Sequence, residues 1–337
     1  MGRTLHLSEE RFAFREPFRI SGHEFTETVL LVAEIAEGEH RGRGEGAGVY
    51  YLGDDLPAML AAAQSVRGAI EAGAGRGQLQ ALLPACGARN ALDCALWDLE
   101  ARLAGVPVWR LAGLPALRPL PTTMTIGAGS AEEMVRAATG QFGNWPMLKL
   151  KLTGELPLDL ARVAAVCAAR GDAWIGVDAN QGYDRATLEH LLPVLRGAGI
   201  KLVEQPLRRG DEAGLDGLKR SIPFAADESC CTLAELPAMV GRFDTVNIKL
   251  DKCGGLTEAL AIARRCRELG LGVMVGNMMG SSLSMAPSLV VGQLCDVVDL
   301  DGPTFLAADR PGGVSYREGR IYPGLDGWGL LDRTAER

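Results

Sequence analysis

From about residue 119 onward, short apolar runs alternate with Ala-, Leu- and Arg-rich stretches of helical character. Apolar runs of this length predict buried strands, and strand–helix alternation predicts a parallel sheet. Eight strand candidates follow one another, at residues 119–127, 147–153, 174–180, 201–206, 223–229, 245–250, 272–279 and 297–303. Helix candidates, such as residues 158–171 and 256–270, lie between most of them. Eight such units predict a (β/α)₈ barrel in which one helix is short or absent. The alternative, an open doubly wound sheet, is disfavoured because no glycine-rich dinucleotide motif follows any strand.

The N-terminal third has a different pattern. Residues 26–37 and 40–51 are typical of antiparallel strands, whereas residues 56–73 and 88–105 are typical of helices. These elements predict an α+β domain in front of the barrel.

The predicted domain boundaries follow from this change of pattern. We expect an α+β capping domain at residues 1–112 and a barrel at residues 113–308. Residues 309–337 have a hairpin-like centre, and we expect them to leave the barrel and pack against the N-terminal domain.

Composition narrows the class of protein. The chain has 337 residues, a net charge of −7 and a pI of about 5.3, which disfavours a nucleic-acid partner. No apolar run is long enough to cross a membrane, and the N-terminus lacks the apolar segment of a signal peptide. The eight cysteines are scattered without a CxxC motif, and the four histidines lack metal-ligand spacing. We therefore expect a cytoplasmic protein with reduced thiols, no membrane contact and no zinc site.

Acidic residues stand at the ends of three consecutive predicted strands. Asp178, Glu204 and Asp227 are separated by 26 and 23 residues. Because the active sites of barrels lie at the C-terminal ends of their strands, these carboxylates are expected to converge. A hard divalent cation such as Mg²⁺, with its preference for oxygen ligands, would relieve their repulsion. The alternative is that each acid is an ordinary surface or salt-bridging residue.

Lysines lie on both sides of these acids. In "MLKLKLTG", Lys149 and Lys151 alternate with leucines and therefore share one face of the second strand. Lys249 lies on the sixth strand, across the barrel mouth. Lys151 and Lys249 could then act as two opposed bases on a proton next to a carboxylate, while Lys149 lowers the pKa of its neighbour and binds the developing charge. Alternatively, each lysine neutralises an acid, or a single active lysine supports an elimination or a cycloisomerisation.

Five motifs together carry a resemblance to a known family. They are "KLK" (149–151), "VDAN" with Asp178, "VEQP" with Glu204, "ADES" with Asp227 and "NIKLDKCGG" with Lys249. With them the chain resembles the muconate-cycloisomerase subgroup of the enolase superfamily over essentially its full length. The resemblance implies a modified TIM barrel, (β/α)₇β, with an N-terminal α+β capping domain completed by the C-terminal tail. It also implies one Mg²⁺ per subunit and chemistry through an enediolate.

One further motif distinguishes members of the subgroup. "VDLDGP" resembles the Asp-x-Asp signature of dipeptide epimerases, in which Asp299 and Asp301 would hold the free α-ammonium of the substrate. The resemblance implies an isomerase that inverts the α-carbon of the C-terminal residue of a dipeptide. The alternatives are a racemase of N-acylamino acids, a cycloisomerase, or a non-catalytic binding protein on the same fold. For Asp299 and Asp301 themselves, the alternative is that one pairs with an arginine of the cap or caps a turn.

The remaining substrate contacts are expected from loops. Asn180 follows the third strand, and Met278 belongs to "GNMMGSS" after the seventh. In the cap, residues 17–27 offer the cations Arg19 and His23. Capped barrels of this kind commonly self-associate, so a homo-oligomer is expected.

Overall fold

The computed structural model describes residues 2–20, 23–324 and 328–329. Its N-terminal part is an antiparallel sheet of three strands in the order β1-β2-β3. The strands are β1 (Thr4–Ile20), β2 (His23–Glu37) and β3 (His40–Ala47).

Five helices cover one side of this sheet and lead to the barrel. A 3₁₀ turn (Tyr50–Leu52) precedes them. They are α1 (Leu56–Ser65), α2 (Arg67–Glu71), α3 (Arg76–Leu82), α4 (Gly87–Ala104) and α5 (Val108–Leu111). The buried helix α4 lies directly on β3, where a Cβ atom at Gly44 would be 2.1 Å from the carbonyl oxygen of Ala91. The alternating glycines of "RGRGEGAG" therefore allow helix and strand to approach closely.

The barrel consists of eight parallel strands arranged in chain order. They are β5 (Met124–Ile126), β6 (Met147–Lys151), β7 (Trp174–Asp178), β8 (Leu202–Glu204), β9 (Phe224–Ala226), β10 (Thr245–Ile248), β11 (Gly272–Val275) and β12 (Val297–Val298). The first and last strands are joined by the amide of Thr123, which donates to the carbonyl of Val298 at 2.9 Å. Each predicted strand is present, and each is shorter than its apolar run in the sequence.

Helices follow most of the strands. They are α6 (Ala131–Arg136), α7 (Leu156–Ala169), α8 (Arg185–Gly197), α9 (Leu236–Met239), α10 (Leu250–Cys253), α11 (Leu256–Glu268) and α12 (Ser282–Gly292). After β8 the described chain forms a 3₁₀ turn (Glu212–Leu215) in place of an α-helix, and another (Gly302–Phe305) follows β12. The prediction of a modified barrel with a missing helix is thus confirmed.

The C-terminal segment contacts both parts of the molecule. Strand β13 (Ser315–Arg317) pairs with β14 (Arg320–Tyr322), and β14 pairs with β4 (Leu120–Pro121) at the entry to the barrel. Beyond them the indole nitrogen of Trp328 donates to the carbonyl of Cys94 in α4 at 3.0 Å. The tail therefore reaches the cap, as the (β/α)₇β fold with a completed cap requires. The domain boundaries at residues 112 and 308 stay predictions.

The apolar core of the barrel is continuous with part of the cap. Val32, Cys94 and Trp97 of the cap belong to the same buried cluster as the barrel strands. Within the described residues, no helix is both long enough and apolar enough to span a membrane.

Candidate active site

Three buried carboxylates converge at the C-terminal ends of the barrel strands. Asp178 and Glu204 are the last residues of β7 and β8, and strand pairing sets them side by side. Asp227 directly follows β9. One oxygen of each of the three residues lies within 4.8 Å of one oxygen of each of the others. Adjacent parallel strands thus bring together acids that are far apart in the chain.

The two carboxylate oxygens of Glu204 have different surroundings. Its Oε1 accepts a hydrogen bond from the side-chain amide of Asn247 at 2.6 Å, whereas its buried Oε2 makes no hydrogen bond among the described residues and lies 3.3 Å from the Nζ of Lys149. Burial and the neighbouring Asp178 carboxylate raise the pKa of Glu204 to about 7. An oxygen-only ligand set with an unbonded oxygen fits Mg²⁺.

Lys151 and Lys249 approach this acid cluster from opposite sides. The Nζ of Lys151 lies 2.6 Å from Oδ2 of Asp178, and the Nζ of Lys249 lies 2.6 Å from Oδ2 of Asp227. Their strands, β6 and β10, are four positions apart in either direction around the eight-stranded barrel. The two ammonium groups therefore face each other across the acids.

The acids also set the protonation of the lysines. Burial lowers the pKa of Lys249, but Asp227 and Glu204 outweigh it and hold the pKa well above its ordinary value. The pKa of Lys149 is likewise raised, because Asp299 and Glu204 outweigh its burial. The sequence reasoning expected a lowered pKa for the base lysine with a metal ion beside it. A neutral lysine at this site requires that a cation offset the charge of the carboxylates.

Lys149 is held within the acid network. Its Nζ donates to Asp299 and lies 3.3 Å from Oε2 of Glu204. In this structure Lys149 neutralises acids, which is the alternative considered for it from the sequence. It joins the three-carboxylate cluster to the end of β12.

Asp299 and Asp301 differ in how their charges are compensated. Asp299 accepts hydrogen bonds from Lys149 and from the hydroxyl of Thr123. Asp301 Oδ2 accepts from the backbone amide of Thr125 at 2.6 Å, and no lysine or arginine among the described residues pairs with Asp301. Burial and the nearby Asp299 raise the pKa of Asp301 to about 6. Asp301 therefore offers an uncompensated carboxylate, which an incoming cation would stabilise.

A cavity of about 550 Å³ lies between the cap and the mouth of the barrel. From the barrel it is lined by the lysines and strand-end residues Lys149, Lys151, Asn180, Lys249, Met278, Asp299 and Asp301. From the cap its lining includes five aromatic residues and three acids, which are Phe14, Phe18, Phe25, Tyr50, Tyr51, Glu27, Asp54 and Asp55. Most of the residues proposed from the sequence thus border one cavity.

Two of those residues show distinct local features. Asn180 has a left-handed backbone (φ 43°), and its amide donates to Oδ1 of Asp178 at 2.9 Å. Its own Oδ1 is buried and has no hydrogen-bond partner among the described residues. Met278 borders the cavity beside Met279. Their roles in substrate binding stay predictions.

Of the two cap cations predicted from the sequence, the structure describes the side chain of Arg19. The guanidinium of Arg19 pairs with Glu24 at 2.6 Å, and Arg19 borders a neighbouring cavity of about 520 Å³ rather than the one above the lysines. The backbone of His23 begins β2, but its side chain lies outside the described part of the chain. The contact of Arg19 with substrate is not supported by this geometry, and the contacts predicted for Arg19 and His23 both stay predictions.

Lys252 is a site residue that the sequence reasoning missed. It is 1% exposed, and its Nζ donates to Oδ1 of Asp227 at 2.6 Å and to the carbonyl of Asn247 at 3.0 Å. The short helix α10 turns the chain so that Lys252 reaches the same carboxylate as Lys249. A second lysine three residues after the first was the available signal.

Comparisons with known proteins agree with this arrangement. Residues 3–113 match the mandelate racemase / muconate lactonizing enzyme N-terminal domain, and residues 128–330 match the enolase C-terminal domain-like family. The L-Ala-D/L-Glu epimerase of Escherichia coli strain K12 is 36% identical over 321 residues, which cover 95% of this chain and 99% of that enzyme.

Two further similar proteins differ in their named substrates. The N-acetyl-D-glutamate racemase of a Pseudoalteromonas species is 38% identical over 243 residues, covering 72% of this chain and 75% of that protein. The crystal structure of the dipeptide epimerase from Methylococcus capsulatus, complexed with Mg and the dipeptide L-Arg-D-Lys, has a TM-score of 0.90 and 32% identity. It covers 98% of this chain and 99% of that one.

Proposed function

This chain belongs to the mandelate racemase / muconate lactonizing enzyme family, which has an enolase-like C-terminal domain, and we propose that it is a Mg²⁺-dependent dipeptide epimerase. It is an isomerase in this proposal, as its similar proteins are by name. The observation that carries the proposal is the placement of Lys151 and Lys249 on opposite sides of three carboxylates, with Asp301 bordering the same cavity.

Asp178, Glu204 and Asp227 are the residues that would hold the metal, one ion per subunit. The unbonded oxygen of Glu204 and the all-carboxylate ligand set support this assignment. When bound, Mg²⁺ supplies positive charge that stabilises negative charge on a substrate carboxylate.

Lys151 and Lys249 would exchange the α-proton of the substrate. One lysine in its neutral form removes the proton from one face of the α-carbon, and the ammonium of the other donates a proton to the opposite face. The product is the epimer, and the roles of the two lysines reverse for the reverse reaction. The ion pairs to Asp178 and Asp227 hold both side chains in position before substrate enters.

Lys149 would bind the developing negative charge of the substrate carboxylate. Its position near Oε2 of Glu204 keeps its ammonium beside the metal-binding residues. The raised pKa of Lys149 suits a permanent cation rather than a base.

The choice of a dipeptide over an N-acylamino acid rests on Asp301. A free α-ammonium would compensate its buried charge, whereas an N-acyl group carries no charge and would leave the carboxylate unpaired. With the amine at the end of β12 and the carboxylate near the lysines, the inverted carbon belongs to the C-terminal residue.

The alternative on the same scaffold is a racemase of N-acylamino acids, since one similar protein carries such a name. A non-catalytic binding protein is disfavoured because both lysines and all three acids are present in contact. The partner is a small molecule in either reaction. A homo-oligomeric state and a cytoplasmic location complete the proposal, and the latter is supported by eight free cysteines.

Incubation with dipeptides in D₂O and Mg²⁺ tests the proposal. We expect mass spectrometry to detect deuterium at the α-carbon of the C-terminal residue, with loss of exchange in EDTA and recovery with Mg²⁺. Exchange into N-acylamino acids alone would contradict the assignment of Asp301 and would leave the metal and lysine assignments intact. Recovery with zinc alone would contradict the metal assignment.

A further inference from the structure

The geometry of the proposed reaction fixes the direction of one substrate side chain. When the α-proton leaves, the α-carbon becomes planar, with the carboxylate, the amide nitrogen and the side chain in one plane. Lys151 and Lys249 lie on the two faces of that plane. The carboxylate is directed to the metal-binding acids, and the nitrogen is directed to Asp299 and Asp301. The third substituent, the side chain of the epimerised residue, must therefore point out of the barrel toward the cap.

The cap presents an aromatic wall to that side chain. We define the cap wall as Phe18, Phe25, Tyr50 and Tyr51, all of which border the cavity. The rings of Phe25 and Tyr50 have centroids 6.0 Å apart, and those of Tyr50 and Tyr51 are 5.2 Å apart in an edge-to-face arrangement. Mutual packing holds these rings in place and leaves an apolar surface above the lysines.

The described part of the cap offers no cation at this cavity for an acidic side chain. Among the described residues, the cavity lining contributed by the cap contains no lysine, arginine or histidine. The lysines of the cavity all come from the barrel floor and are already paired with acids. The hydroxyl of Tyr51 is buried without a hydrogen-bond partner, but a single hydroxyl does not neutralise a carboxylate.

Of the three acids on the cap side, Glu27 is paired with a cation, whereas Asp54 and Asp55 accept backbone amides. Glu27 pairs with Arg11 at 2.6 Å, Asp54 accepts from the amide of Gly87 at 2.7 Å, and Asp55 caps α1 by accepting from the amide of Ala58. A preference for a basic side chain is therefore one of the outcomes that the experiment below distinguishes.

Resting on the proposed function, we infer that the epimerised residue of the substrate is apolar or aromatic, and that Phe25 and Tyr50 of the cap wall are specificity-determining residues. This differs from the glutamate substrates in the names of two similar proteins. A glutamate side chain at the cap wall would lose its hydration without gaining a counter-charge, whereas a leucine or phenylalanine side chain would gain apolar contact.

The test is the rate of α-deuterium exchange for L-Ala-L-Phe, L-Ala-L-Leu, L-Ala-L-Glu and L-Ala-L-Lys with the Mg²⁺-loaded protein. We expect kcat/KM for the Phe and Leu dipeptides to exceed that for the Glu dipeptide by about a hundredfold. Equal or better turnover of the Glu dipeptide would overturn the inference. A clear preference for the Lys dipeptide would also overturn it and would assign the cap acids to the substrate.

A pair of variants tests the cap wall itself. Phe25→Lys places a cation at the half-buried edge of the wall, where its stem can remain packed and its ammonium can face the substrate. We expect the ratio of kcat/KM for the Glu dipeptide to that for the Phe dipeptide to rise at least about tenfold. The matched control Leu52→Lys adds the same charge in the adjacent 3₁₀ turn, at a residue that is 45% exposed and outside the cavity lining. If both variants changed the ratio equally, the wall would have no specific role.

The same side-chain comparison with N-acetyl-L-Phe and N-acetyl-L-Glu separates the two proposals. Exchange into acetylated substrates alone would show that the proposed dipeptide activity is wrong, while a preference for the Phe compound would still support the cap wall. Exchange into dipeptides with a preference for Glu would leave the dipeptide activity intact and refute the cap wall. If neither series exchanged, calorimetric titration with L-Ala-L-Phe and L-Ala-L-Glu would decide, and failure of L-Ala-L-Phe to bind more tightly would refute the inference.

Discussion

Replacing Asp301 with asparagine separates a free-amine substrate from an N-acylated one. The amide is nearly the same size as the carboxylate, and its oxygen can still accept the hydrogen bond from the backbone amide of Thr125, 2.6 Å away in the present structure. Only the charge is lost. Asp299 keeps its contacts with Lys149 and Thr123, so the neighbouring network remains in place.

The expected loss of activity follows from the burial of Asp301. Removing one partner of a buried charge pair costs about 2–5 kcal/mol, which corresponds to a fall in kcat/KM for dipeptides of about 30-fold to several thousandfold. An N-acylamino acid makes no charge pair with Asp301, so any residual activity toward it is expected to be unchanged or increased. In the unmodified protein, dipeptide affinity should weaken as the pH falls through about 6, because protonation then removes the charge of Asp301.

The same substitution should stabilise the substrate-free protein. Burial and Asp299 raise the pKa of Asp301 from 3.8 to about 6, so the ionised group favours the unfolded state at every pH above this interval. This difference in pKa corresponds to about 3 kcal/mol of destabilisation of the folded protein at neutral pH. Desolvation of the new amide offsets part of the stabilisation gained by removing this charge. We expect a net gain of about 1–3 kcal/mol in the free energy of unfolding at pH 8.

Steady-state exchange kinetics on L-Ala-L-Leu and N-acetyl-L-Leu, together with urea denaturation at pH 5 and pH 8, measure these effects. Asp184→Asn is the matched control, because Asp184 is an exposed helix cap and asparagine caps helices equally well. Equal losses of activity on both substrates would refute the amine-binding role. A lower free energy of unfolding at pH 8 would refute the electrostatic reasoning.

Three further predictions concern the lysines and the metal. Lys151→Ala and Lys249→Ala should each abolish net epimerisation, with losses of at least about 100-fold, yet each variant should still exchange the α-proton of one epimer with D₂O; equal partial losses with both epimers, followed by NMR, would count against two opposed bases. Glu204→Gln should weaken Mg²⁺ binding in calorimetric titration by at least about tenfold, since it removes the charge beside the unbonded oxygen; unchanged affinity would mean that the ion binds elsewhere. Lys252→Met should lower the free energy of unfolding in urea by about 3–5 kcal/mol, because it leaves Asp227 with one buried cation fewer; a change below about 1 kcal/mol would show that Lys249 alone compensates that carboxylate.

Much of the fold and the metal site could be predicted because the responsible signals are local. The alternation of leucine and lysine around Lys149 and Lys151 defines a strand with one polar face whatever surrounds it. Asp178 and Glu204 each follow a short apolar run, and parallel strands in chain order necessarily end at the same edge. The sequence predicted one short or absent helix, and the structure shows that a 3₁₀ turn replaces the helix after β8.

The tertiary structure decided which charges meet and in what surroundings. The sequence allowed Lys149 to contact the substrate alone. Closure of the barrel between β5 and β12 brings Asp299 into contact with it. Lys252 reaches Asp227 because the chain turns into α10 directly after Lys249. Arg19 is a plausible ligand by sequence, yet its salt bridge with Glu24 lies beside a different cavity. Burial lowers the pKa of Lys249, but the acids that the fold brings beside it outweigh burial and raise the pKa. Strand order and side-chain alternation depend on neighbours in the chain, whereas partners, burial and dielectric surroundings depend on residues far apart in it, and only packing brings those together.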